Sequence, residues 1–161
     1  MNTISAEIVE KTWQETAAMS PLQAPKLLNK FSKQQPLIVA YLMAAGHDIF
    51  NQDEQELLLY MGINVWKMMS LGETSLPKVN EKILYKVEEN NYKMLDYLDG
   101  ESGEGFNVTV EKIFSNCNQP EILRYIVEAL FEDEEEGVEI RDEIKGMLML
   151  NLKTVIDCFD G

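Results

Sequence analysis

The residues best suited to chemistry are the acids Glu132-Asp133-Glu134-Glu135-Glu136, followed directly by Gly137. Counted from Glu132, carboxylates fall at positions 1, 3, 5 and 12 (Glu132, Glu134, Glu136 and Glu143), with Gly137 at position 6. That is the spacing of a calcium-binding EF-hand loop, where acids supply hard oxygen ligands and the glycine permits a sharp turn. Three departures oppose it. Position 1 is Glu rather than the shorter Asp, and position 8 is Glu139 where an apolar residue normally pairs with a second loop. The matching stretch of the first half offers Asp48, Phe50, Gln52 and Leu59, which make no partner site. Without a metal, the same acids favour the start of a following helix, or form a docking patch, Glu132 to Glu136, for a basic protein or peptide. The patch is the leading expectation and a calcium-responsive loop the alternative.

Other reactive residues stand alone. The single histidine, His47, has no Glu three residues away, so a carboxylate-bridged di-metal bundle is excluded and an exposed turn residue is expected. Cys117 lies between two asparagines with no basic cluster to lower its pKa, and reads as an inert thiol. No glycine-rich nucleotide loop occurs. We therefore expect no catalytic site and no cofactor, with an enzyme assembled from scattered residues as a further alternative. The methionines Met61, Met68, Met69, Met147 and Met149 read either as core or as the lining of a malleable groove.

Composition narrows the partners. Net charge is −14, and it is one-sided: residues 1–80 carry 6 basic and 8 acidic side chains, residues 81–161 carry 8 and 20. Nucleic acid is excluded as a partner by that field and by the presence of only Arg124 and Arg141 as arginines. The longest apolar run, Leu37 to Ala45, is about half of the ~20 residues that span a bilayer, so no membrane partner is expected. The polar, acidic start and two cysteines without framework spacing point to a cytoplasmic setting with free thiols. A homodimer through an apolar helix face is a further expectation.

The elements that must position these residues read as helices throughout. Residues 35–69 lie over residues 119–153 without a gap, so that Gln35-Pro36, Ile38, Tyr41, Ala45 and Gly62 meet Gln119-Pro120, Ile122, Tyr125, Ala129 and Gly146. The expected fold is all-α: about eight helices in one domain, residues 1–161, built as two similar four-helix units at about 1–72 and 75–161.

The expected helices start near Ser5, at Pro25, at Pro36, after Asn51, after Ser75, through Val110 to Phe114, after Asn118, and near Val138 or Glu139. Gly100 to Gly105 reads as a flexible loop. The apolar stretches 53–71 and 139–159 should meet at the centre. Gly62 and Gly146 are both expected where another element packs closely.

Overall fold

The computed structural model describes residues 2–72, 75–100, 111, 113, 115–131 and 138–160, with residues 95–100 described by backbone alone. Among them are seven long helices and no strand: α1 (Ala6–Ala17), α2 (Ala24–Gln34), α3 (Pro36–Ala44), α4 (Gln52–Ser70), α5 (Glu81–Gly100), α6 (Pro120–Phe131) and α7 (Asp142–Asp160). The helix expected through Val110 and Phe114 falls largely outside the described residues, as does most of the 100–105 loop. No helix among the described residues is long and apolar enough to cross a membrane.

Local sequence explains most of the boundaries. Ser5 caps α1 by accepting from the Ile8 N–H. Asn51 and Glu54 form a reciprocal capping box at the start of α4. Pro36 opens α3, and Gly46, at φ +74°, carries the chain out of it through the left-handed region that glycine enters without steric cost.

The central packing is between α4 and α7, which touch more extensively than any other pair; α1, α2, α3 and α6 cover α4, and α5 and α6 cover α7. Leu58, Val65, Met68 and Met69 of α4 and Leu148, Leu152, Val155 and Ile156 of α7 are fully buried in one continuous core. Phe31 of α2 stacks on Trp66 with ring centroids 4.9 Å apart.

Two buried glutamines tie the halves together. Gln119, the residue before α6, accepts from Ile4 N (2.8 Å) and donates to Asn2 O (3.0 Å) and Asp160 Oδ1 (3.0 Å). Gln35, the residue before α3, does the same to another segment: it accepts from Val79 N (3.0 Å) and donates to Pro77 O (2.9 Å). Each clamp fixes a short extended stretch leading into a capped helix, with Ser5 capping α1 and Asn80 accepting from Ile83 N at the start of α5. Tyrosines six residues further on also cross over: Tyr41 donates to Asn151 on α7, and Tyr125 accepts from Asn64 on α4, each at 3.0 Å.

Four expectations are corrected. α5 begins at Glu81 rather than just after Ser75, because Gln35 takes the backbone groups of Pro77 and Val79 that a helix would have used. α7 begins at Asp142, not near Val138; the stretch before it is held on α4 in a non-helical form, with Glu139 N donating to Asp53 and Arg141 N to Glu54. Asn118 does not cap α6; its side chain donates to Asp160 Oδ2. Gly62 is closely approached, since a Cβ there would lie 2.5 Å from Leu42 Cδ1, whereas a Cβ on Gly146 would meet nothing within 4 Å.

Candidate functional site

α1 carries Trp13, Thr16 and Ala17 on one face at i, i+3 and i+4, and the chain then turns back through Met19, Ser20 and Pro21 into α2. α4 presents Leu57, Tyr60 and Met61 in the same spacing, and α6 presents Tyr125, Ala129 and Leu130. These three faces line a groove of about 890 Å³, and Val138, Glu139 and Ile140 together with Ala24 and Leu27 contribute to the same lining. Trp13 and Tyr60 are each 38% exposed, large for rings that the core could have covered. A groove of this volume with aromatic and aliphatic walls is of the size and character of a binding site.

Its lining carries acids. Among the described residues, Asp53, Glu56 and Glu139 line it, against one base, Lys145. Lys145 is already partnered: its Nζ lies 2.9 Å from Asp142 Oδ1 and 5.7 Å above the Phe131 ring. The groove therefore offers unmatched negative charge around an apolar centre.

The wall at 138–140 is held by a buried ion pair that sequence reasoning missed. Glu54 is fully buried, and its carboxylate accepts from Arg141 Nη2 (2.7 Å), Arg141 Nε (3.1 Å to Oε2), the Arg141 N–H (2.9 Å) and the Asn51 N–H (2.8 Å). Burial pushes the Glu54 carboxyl upward, but the hydrogen bonds from Arg141 and the Asn51 backbone outweigh it and hold the pKa below the ordinary carboxylate value. Arg141 Nη2 also donates to Ile49 O, and Asn51 Nδ2 to Glu139 O, so the segment is fastened on both sides. The signal was present in Asn51-x-x-Glu54 as a capping box and in Arg141 as one of two arginines. Their meeting across 87 residues was not visible.

Of the residues expected at a site, Glu132 to Glu136 lie outside the described residues. Leu130 and Val138, which bracket that run in sequence, both line the groove. Glu143, the fourth expected calcium ligand, sits in the first turn of α7 with an exposed side chain. Among the described residues no three of His, Cys, Asp and Glu gather as a metal-holding group. His47 is an exposed turn residue, its Nδ1 3.1 Å from Asp48 Oδ2. Cys117 is half-buried and burial raises its pKa; Cys158 is buried and pushed up to about 12, so both thiols stay protonated at neutral pH. Of the five methionines, Met68, Met69 and Met149 are core and Met147 is partly exposed away from the groove; Met61 alone lines it, joined by Met19.

A second concentration of polar groups lies on the other side of α7. Lys153 Nζ donates to Asn91 Oδ1 (2.9 Å) and pairs with Asp157 (2.6 Å), while Asn91 donates to Thr154 Oγ1 (3.2 Å). Each of these buried groups has its partner inside the cluster, so it fixes α5 on α7.

A comparison with protein-family models, curated proteins and solved structures finds no match. The functional reading rests on the groove and its charges.

Proposed function

We propose that this protein is a non-catalytic, cytoplasmic interaction module that docks a basic segment of a partner protein in the groove between α1, α4 and α6. The observation that carries the reading is an open groove whose described lining pairs apolar side chains with the carboxylates of Asp53, Glu56 and Glu139, while Lys145, the base among the described lining residues, is already paired with Asp142. An apolar centre ringed by charge is the usual anatomy of a protein interface. The net charge of −14 would speed the approach of a basic partner. In this reading the acids Glu132 to Glu136, which lie outside the described residues, also take part in capturing the basic partner.

We also read the chain as one domain made of two copies of one helical unit, about 1–72 and 75–161, with the eighth helix near residues 110–114. The exchange of clamps supports this: the glutamine of each unit grips the entry segment of the other.

The test is a titration with a Trp-free, Lys-rich peptide carrying a few leucines, followed by Trp13 fluorescence with Trp13→Phe as the control. Binding should weaken about tenfold or more between about 50 and 300 mM salt, and should drop when Glu132 to Glu136 are changed to Gln. Salt-independent binding, or none, would contradict the reading.

A further inference from the structure

The walls of the groove are all helix flanks. α1, α4 and α6 each spend their backbone N–H and C=O groups within themselves, and no strand occurs among the described residues. An extended segment laid there would find no sheet edge, and its own backbone groups would be left unpaired against Trp13, Leu57 and Tyr125. A helix brings its backbone already satisfied. The lining residues of α1 and of α4 repeat at i, i+3 and i+4, apolar throughout on α4 and apolar at Trp13 and Ala17 on α1, so the groove matches the apolar stripe of another helix by ridges into grooves. Asp53, Glu56 and Glu139 share the lining with these apolar residues, and Glu56 and Glu139 are exposed, so cationic side chains flanking such a stripe would find carboxylates.

We infer that the occupant is a cationic amphipathic helix, with bulky apolar residues at i, i+3, i+4 and i+7 and lysines or arginines on the flanks of that face. The inference rests on the docking reading above and adds the conformation and residue pattern of the bound segment. Trp13 and Tyr60, partly exposed rings that line the groove, are its anchors.

Three Trp-free peptides of matched length test it: lysines and leucines with leucine at helical spacing, the same composition with leucine at every second position, and the helical pattern with Glu replacing Lys. The helical Lys peptide should bind about tenfold or more tightly than the alternating one and gain helical circular dichroism on binding, and the Glu peptide should not bind. Tyr60→Ala should weaken it about tenfold. Glu56→Lys, at an exposed position, should weaken it several-fold without touching the apolar packing. Equal, salt-sensitive affinity for both Lys peptides would overturn the helical occupant and leave the docking reading standing. Failure of both Lys peptides beside saturable, Trp13-dependent binding of a small apolar dye would overturn both, and make the groove a small-molecule site.

Discussion

At the scale of single residues, two glycines in matching places have opposite surroundings. A methyl group on Gly62 would push into Leu42 in the sealed interior, while one on Gly146 would stand in open space. Gly146→Ala should therefore stabilise by up to about 1 kcal/mol through helix propensity alone. Gly62→Ala should lose that gain to overpacking and destabilise by about 1 kcal/mol net. Urea unfolding of the two variants gives both signs directly.

Glu54 is the other residue with a sharp expectation. Its folded pKa is lowered by Arg141 and Asn51, so its stabilisation is present above the ordinary carboxylate value of 4.5 and is lost as pH falls through the folded pKa. Glu54→Gln should cost about 2 kcal/mol at neutral pH, and the difference from the parent should shrink at acid pH in thermal melts. In the sequence, the cap was legible at Asn51, and Gly62 was legible as a place of close approach within α4. The neighbours that decide each residue's effect lie on other helices, and spacing along one chain does not carry them.

At the scale of elements, helix identity was legible because apolar periodicity and proline or cap signals coincide, as at Ser5, Pro36 and Asn51. The starts of α5 and α7 were not, because the stretches before them are taken by side chains from remote helices, Gln35 in one case and Asp53 with Glu54 in the other. Those remote partners make a prediction. Gln119→Leu removes the acceptor for Ile4 N and the donor to Asn2 O, at a cost of about 1 to 3 kcal/mol. Amide exchange at Ile4 and along the first turn of α1 should speed up, with α4 and α7 unchanged. Uniform acceleration across all helices would mean that the clamp holds the whole fold rather than the entry to α1.

At the scale of the whole molecule, the one-sided charge was legible from composition. The groove was not. Trp13 belongs to the α1 stripe that reads as core, and Tyr60 lies in a helix apolar nearly all round. Their exposure arises because α1 ends at Ala17 and the chain turns away through Pro21, leaving the N-terminal half of α4 partly bare.

Docking in the groove requires a basic partner to settle between α1, α4 and α6. The most direct measurement is backbone NMR shift mapping of the protein titrated with the helical Lys/Leu peptide. The account predicts that shifts concentrate at Trp13 to Leu27, Asp53 to Ile63 and Tyr125 to Leu130, and that they vanish in high salt. Shifts centred on α5, or spread evenly over the acidic surface with none at Trp13 and Tyr60, would contradict it.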